Sequence, residues 1–307
     1  MNRTFLQLSG QAENRFYGHI DILAKYCGLT STPWLNGYLQ HGWNGCDGFS
    51  NYAGYKRISK KFIWSKRALN DQEQLGGKNN FVIGSPWLYN LRNLNFQKTT
   101  YDSEKIIAYP LHSQPWAPKN YLHSEYAEFL KSEYGSVTVS LHWSDFDKKE
   151  LKDTYQNLGH VVVTNGVGTP WLKGFNNQFL LNQVNYLNEH TVLTTNAMQT
   201  SVLYALSLGL KIDFGGPASW VKKNDEIGTY GNYGESYWRL RVSNDYESLW
   251  KEELGFDNLK NKENLLDILD WKKTKVKSTY LATRFIDLSR DSNFSEKLSY
   301  IFRGKRK

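Results

Sequence analysis

Short apolar runs alternate with longer amphipathic stretches along this chain, and that alternation constrains its fold more than any other feature: it is the pattern of βαβ units built on a mostly parallel sheet. Ile20–Tyr26 reads as helix, Gly37–His41 as a strand ending in a glycine turn, and Lys61–Ser65 as a second strand. Lys66–Leu75 reads as helix up to the Gly76-Gly77 break, and Phe81–Ile83 as a buried strand ending in Gly84-Ser85-Pro86. Residues Tyr109–Asn120 carry Pro110, Pro115 and Pro118 without periodicity and read as a linker or crossover. The alternation then restarts. Tyr121–Tyr134, Lys148–Leu158, Phe175–Asn188 and Thr200–Leu208 read as helices, and Ser136–Leu141, His160–Thr164, Thr191–Thr194 and Lys211–Phe214 as strands. Beyond Gly215 come a Gly- and Tyr-rich loop, Gly228–Tyr237, charged helical segments over Tyr246–Lys273 and a last helix near Ser295–Phe302.

The reading is therefore α/β, with two similar halves facing across a cleft. Its 307 residues suit two such units, because single cores stop growing near about 250–300 residues. With 40% hydrophobic against 22% charged residues the chain can bury a core, which excludes a disordered or collagen-like chain. No repeat at fixed period is visible, so solenoids and propellers are set aside. In open parallel sheets ligands sit beyond the carboxyl ends of the strands, and that is where chemistry is sought.

Thirty-eight Lys and Arg against 30 Asp and Glu give a formal charge of +8, with Arg303, Lys305, Arg306 and Lys307 at the end. Nucleotide phosphates, nucleic acid and an anionic membrane face satisfy that charge equally, as does a merely solubilising surface. The basic residues are scattered, and no RNP, KH or OB pattern appears, which demotes nucleic acid. Only Cys27 and Cys46 occur, at a spacing that suits neither a disulfide framework nor a zinc site, so a reducing, cytoplasmic compartment is expected. Met1–Gly10 has no apolar signal core, and no run approaches the roughly 20 residues of a membrane span. The chain is expected to be soluble or peripheral at a membrane. There is no HExxH, CxxC, GxSxG or GxxxxGK[ST], so metalloprotease, serine hydrolase and P-loop chemistries lack their signatures.

Five strand ends carry candidate chemistry. Thr195-Asn196 lead through a short turn to a helix opening at Thr200-Ser201, which offers hydroxyls and free N–H groups at a positive helix end, as a phosphate requires; either residue equally serves as an N-cap. His142-Trp143 and Asp145 follow another strand: a base could stack on Trp143 and His142 could donate to phosphate, or Asp145 could cap the next helix. Asn165-Gly166 ends a third and allows close backbone approach, although a lone GxG is not the dinucleotide fingerprint. In the first half, His41-Gly42-Trp43 seats a histidine at a strand terminus, suited to a general base or to a hydrogen bond beneath a loop. Ser85 ends a strand facing the same way, and His112-Ser113 could enter the cleft from the hinge. His19, His123, His160 and His190 sit in or beside helices without partners at metal-ligand spacing. Aromatics near Gly, Pro and Asn, among them Trp34, Trp43, Trp87, Trp116, Trp171, Tyr230 and Tyr233, suit sugar faces if exposed.

With these ends assembled, the chain resembles the two-domain GT-B glycosyltransferases of bacterial surface-polysaccharide synthesis, including the teichoic-acid CDP-glycerol transferases and capsule sugar transferases. Leu39-Gln40-His41-Gly42 looks like the His-Gly turn of the first domain. Thr195-Asn196 through Thr200-Ser201, followed by Tyr204–Gly209, is similar in position to the element that opens a helix in the second, and Gly84-Ser85-Pro86 is similar too. The similarity covers roughly residues 15–215. It implies two Rossmann-like domains, an acceptor-side unit over 1–118 and a donor-binding unit over 119–290, followed by a helix and basic tail over 291–307. It further implies transfer from a nucleotide-sugar donor to a hydroxyl of a glycan or lipid-linked glycan, with inversion, no cofactor and no metal. His41 would be the base, and His142, Trp143, Asp145, Asn165, Gly166, Thr195, Asn196, Thr200 and Ser201 the donor side; Gly42, Trp43, Ser85, His112 and Ser113 would line the acceptor side or cleft. A basic surface would suit the inner face of the cell membrane. Two alternatives stay open: transfer of a polyol phosphate from a CDP-polyol, and a non-enzymatic carbohydrate-binding protein on the same scaffold.

Overall fold

The computed structural model describes residues 11–44, 48–49, 60–74, 76–112, 123–217 and 245–272. Ser113, Trp116, Tyr230, Tyr233, Cys46, the loop 228–237 and the segment 291–307 lie outside them.

The first unit opens with α1 (Gln11–Asn14) and α2 (His19–Tyr26), then β1 (Tyr38–Leu39), β2 (Lys61–Ile63), α3 (Lys66–Gln74), β3 (Asn80–Val82) and α4 (Pro86–Asn93). Its three strands are parallel in the order β1-β2-β3. Asn14, buried at the end of α1, borders β1 by donating to the Gly37 carbonyl at 2.9 Å and accepting from Leu39 N–H at 2.8 Å, so an amide side chain satisfies backbone groups at the strand edge. The segment after Ser85 is helical, which the strand-end reading did not extend to: Pro86 occupies the first turn, where its missing N–H costs nothing.

The second unit runs β4 (Ile106–Ala108), α5 (His123–Tyr134), β5 (Thr138–Ser140), α6 (Trp143–Phe146), α7 (Lys149–Gln156), β6 (Val161–Val163), α8 (Phe179–Asn188), β7 (Val192–Thr195), α9 (Thr200–Ser207) and β8 (Lys211–Phe214). All five strands are parallel in the order β6-β5-β4-β7-β8. This is a doubly wound, Rossmann-like order in which the winding reverses between β4 and β7, and a crevice opens beyond the two strand ends at that point. The expected α/β class with two parallel-sheet units holds. Strand β4 was not anticipated. It is the central strand, yet only three residues long, and it precedes residue 118, so the second sheet starts N-terminal of the expected boundary.

Beyond the second sheet, α10 (Tyr246–Leu254) and α11 (Lys262–Ile268) return to the first. Ser85 N–H donates to Leu254 O at 2.9 Å, Trp271 Nε1 to Trp34 O at 3.1 Å, and Lys60 pairs with Asp270. At the end of α10, Gly255 has φ +67°, and a Cβ there would stand 1.8 Å from the Trp64 carbonyl oxygen, so the helix stops against β2 only because the residue is glycine.

One apolar cluster joins both units: Leu23, Trp64 and Trp87 from the first, Leu193, Val202 and Tyr204 from the second, and Leu254 from the returning helix. Helix α9 is buried from Ser201 through Leu206, as expected of a helix packed between layers instead of over one. A second cluster, with Tyr126, Leu130, Val139 and Tyr155, fills the space beneath α5 and α7. Among the described residues no helix is long and apolar enough to cross a membrane.

Candidate functional site

The crevice between β4 and β7 is shaped by hydrogen bonds among the residues that end those strands. Thr195 Oγ1 donates to Tyr109 O at 2.7 Å and Gln199 Nε2 donates to the same carbonyl at 2.7 Å. Asn196 Oδ1 accepts from Leu111 N–H at 3.0 Å, which holds the segment leading to His112 against the β7 turn. Thr195 is fully buried. Thr195 and Asn196 therefore set the walls of the crevice.

On the other side of β4, the chain leaving β5 turns at His142, which caps α6 by accepting from Ser144 N–H at Nδ1 (3.3 Å) and also contacts Ser144 Oγ at 2.7 Å. With Nδ1 accepting, the neutral ring carries its proton on Nε2. The His142 ring stacks on His112 at 4.4 Å between centroids and lies against Trp143 at 3.6 Å. Asp145, fully buried, holds Lys148 Nζ at 3.0 Å and stands 3.8 Å from His123 Nε2, so it anchors α5 to α6. Asn165, nearly buried, receives the Tyr109 hydroxyl at 3.3 Å and gives its carbonyl to Asn182 Nδ2 at 3.1 Å; Gly166 follows at φ +92°.

The first unit presents His41 to this crevice. Its ring lies edge-on to Phe16 at 4.1 Å and 5.0 Å from Tyr17, and it is close enough to His112 and His142 for charge on one to disfavour charge on the others. The following residues clasp the second unit: Trp43 N–H donates to Thr200 Oγ1 at 3.1 Å, while Trp43 Nε1 donates to Glu253 Oε2 at 2.8 Å, a carboxylate that also holds Arg67 Nε at 2.7 Å. Gly42 sits over the start of α9, where a Cβ would come within 3.3 Å of Thr200 Oγ1. The Thr200 hydroxyl is thus engaged by protein backbone. Ser201 and Ser85 are buried, and neither Oγ has a partner among the described residues.

Tyr17 is the pivot of the seam. It adopts φ +56°, ψ +12°, a left-handed conformation rare for a bulky residue and characteristic of places where surrounding structure dictates the backbone. Its N–H donates to Gly168 O at 2.9 Å, and its ring contacts His19, His41, Trp143 and Phe179 at 4.6–6.0 Å. Gly168 allows this approach, since a Cβ there would lie 2.4 Å from the Tyr17 ring.

Four imidazoles consequently gather across the cleft, and burial lowers the pKa of each: His19 and His142 to about 3, His41 to about 4, and His112 in the same direction. Mutual repulsion adds to burial, His41 acting on His19, His112 on His41 and His142; Asp145 pulls His112 and His142 back up without overcoming desolvation. At neutral pH these rings are uncharged. They can accept a proton, or donate one N–H each to an anion.

The structure brings His41, His112, His142, Trp143, Asn165 and the Thr195–Ser201 turn to one cleft. Expected exposure of the aromatics fails at Trp43 and Trp87, which are 7% and 0% exposed: the first is locked to Glu253, and the second stacks on Tyr204 at 4.2 Å and donates to Ser207 Oγ at 2.8 Å. They are core residues, not sugar platforms. Sequence reasoning set His19 aside and did not single out Tyr17, Gln199 or Glu253. Only His19 carried a signal, a histidine following Tyr17-Gly18 at the start of an apolar helix.

No protein-family model and no curated protein matches the chain. Among solved structures it is similar to UDP-GlcNAc 2-epimerase from Neisseria meningitidis bound to UDP-GlcNAc, at 11% identity and TM-score 0.35, over 69% of this chain and 60% of that one. It is similar to S. aureus MnaA with UDP at 12% identity and TM-score 0.34, over 66% and 54% of the two chains. A complex of S. aureus TarM with fondaparinux, alpha-GlcNAc-glycerol and UDP shares 13% identity at TM-score 0.29, over 79% and 43%. The chain thus spans 60% or less of the length of each of these structures.

Proposed function

We propose that the chain is a glycosyltransferase of GT-B type, which binds a nucleotide-activated sugar in the β4/β7 crevice and transfers the sugar to a hydroxyl presented by the first unit. The observation that carries this reading is the meeting of His41, from the end of β1, with the stacked His112–His142 pair across the cleft. A base delivered by one parallel sheet to the strand ends of another is the arrangement that group transfer between two bound substrates requires.

In the reaction, neutral His41 takes the proton of the acceptor hydroxyl as its oxygen attacks the anomeric carbon. The bond from that carbon to the phosphate oxygen breaks, and the electron pair leaves with the nucleoside diphosphate. The Nε2–H of His142, with His112 beside it, faces the charge that develops there. Attack from the side opposite the leaving group inverts the anomeric centre. Trp143 and Asn165 border the donor, and Thr195, Asn196 and Gln199 keep its crevice open.

Thermal unfolding with UDP, CDP, GDP, TDP and CMP tests this first. A nucleotide at about 100 times its Kd adds about 2.7 kcal/mol to the folded state and raises Tm. His41→Ala should keep that rise and abolish transfer, a loss expected to be about 10²–10⁴-fold for a general base. Release of CMP in place of a nucleoside diphosphate points to a polyol-phosphate donor or a CMP-linked acidic sugar. Glycan binding with no nucleotide-dependent rise in Tm overturns the reading in favour of a carbohydrate-binding protein.

A further inference from the structure

Natural interiors pair their polar atoms, because a donor or acceptor removed from water and left unbonded forfeits its hydration. At the seam, four such atoms lie unbonded among the described residues, three from the first unit and one from the second: His19 Nε2, Trp64 Nε1, Ser85 Oγ and Ser201 Oγ. Their residues are 1%, 0%, 0% and 7% exposed.

They belong to one locality. The rings of His19 and Trp64 are 6.1 Å apart at 66°. Gly84 N–H bonds the Trp64 carbonyl at 3.1 Å, so Ser85 emerges beside Trp64, and it precedes α4 without making the side-chain cap bond that a serine there ordinarily makes. Ser201 lies in the first turn of α9, and one turn further on Tyr204 leans over Trp64 at 6.5 Å. Tyr17, 5.6 Å from His19 and 5.0 Å from His41, links this locality to the cleft.

The chemistry of the four is complementary. The Gln40 backbone bonds the His19 ring in the sense that favours its charged form, which makes the backbone group a carbonyl and the ring nitrogen facing it an N–H. Nε2 therefore bears the lone pair of the neutral ring, whereas Trp64 Nε1 is a donor only. An anion would meet the Nε2 lone pair, a carbonyl would leave it empty, and an apolar group would satisfy neither atom. A hydroxyl, with one proton to give and lone pairs to receive, satisfies both.

We propose that His19, Trp64, Ser85 and Ser201 form a cradle for two adjacent hydroxyls of a sugar or polyol. One hydroxyl donates to His19 Nε2 and accepts from Trp64 Nε1–H, and its neighbour exchanges hydrogen bonds with the two serines. This deepens the transferase reading and rests on it for the ligand's role as acceptor; it makes the acceptor a vicinal diol and places its binding beside His41.

The test uses the full ¹⁵N-labelled chain, with the Trp64 indole N–H resonance assigned by Trp64→Phe. Ribitol, glycerol and methyl α-D-glucopyranoside should shift that resonance saturably, and 1,3-propanediol, which has no vicinal pair, should not. Ser85→Ala and Ser201→Ala should each weaken ribitol binding about tenfold while leaving Tm unchanged or higher, because each removes a buried hydroxyl that bonds nothing in the protein. A merely structural role lowers Tm instead. If every polyol leaves the indole unmoved, buried water alone serves these atoms and the proposal is overturned, whether or not nucleotide raises Tm on the same sample. An indole shift from polyols without any nucleotide effect keeps the cradle and overturns the transferase reading.

Discussion

Trp43 and Thr200, 157 residues apart, exchange two hydrogen bonds across the seam: the Trp43 N–H reaches Thr200 Oγ1 at 3.1 Å, and the threonine hydroxyl reaches the Trp43 carbonyl at 3.4 Å. The first helical turn beyond β7 is thereby fixed to the loop that carries His41. The separation between base and crevice is set by this clasp and by the Tyr17–Gly168 contact, not by crossover length alone.

Thr200→Val keeps the shape of the side chain and removes both bonds, leaving a Trp43 N–H beside a methyl group. Stability should fall by about 1–2 kcal/mol in urea unfolding, and Thr200→Ser should recover most of it. A loss in Thr200→Ser with none in Thr200→Val would show that packing of the threonine methyl matters and the clasp does not.

Trp43→Phe keeps an aromatic ring, though a smaller one, and withdraws one donor from Glu253, a carboxylate that is 1% exposed and also bonded to Arg67. A hydrogen bond to a buried charge contributes about 1.5–3 kcal/mol. Loss within that range is expected, and Trp43→Phe combined with Glu253→Gln should cost less than the two separate losses summed, as measured by a double-mutant cycle.

Gly168→Ala inserts a methyl 2.4 Å from the Tyr17 ring, at the residue whose carbonyl receives Tyr17 N–H. The ring cannot yield without disturbing His41 and Trp143. Destabilisation of about 1–3 kcal/mol follows from overpacking; an unchanged Tm would mean that the seam tolerates sliding. Gly174→Ala is no fair control, since φ there is +87°.

Acid should weaken the fold before any carboxylate titrates. A histidine whose folded pKa lies below the ordinary 6.5 binds more protons when unfolded, so its stabilisation is complete above about pH 6.5 and declines as pH falls toward the folded value. His19 and His142, at about 3, and His41, at about 4, place this window between about pH 6.5 and pH 3–4. For buried His19 alone the loss from pH 7 to 5.5 is about 1 kcal/mol. Tm measured across that range should flatten in His19→Asn, and an unaltered slope would remove His19 from the account.

Most of the architecture was legible because parallel sheets announce themselves through repeated pattern. Lys211–Phe214 and the helix opening at Thr200 stand where the residues predict. Strand β4, Ile106–Ala108, escaped because it runs straight into Tyr109–Asn120, whose prolines read as a linker, with no glycine turn to mark where the strand stops. Strand-end logic reached His41 and His142, since it depends only on where apolar runs stop, whereas His112 was reached as a residue of the hinge. It could not reach Glu253 or Tyr17. Glu253 owes its place to a helix that returns from the far end of the chain, and Tyr17 owes its left-handed backbone to the Gly168 carbonyl. Such residues are specified by tertiary contact, which leaves no local trace.

Because α10 and α11 come back to rest on the first sheet, chain on either side of the second sheet belongs to the first unit, which holds the second as a bracket holds a shelf. The Ser85–Leu254 backbone bond is one of its fastenings. A single cut in the chain ahead of β4 should therefore leave the two units together.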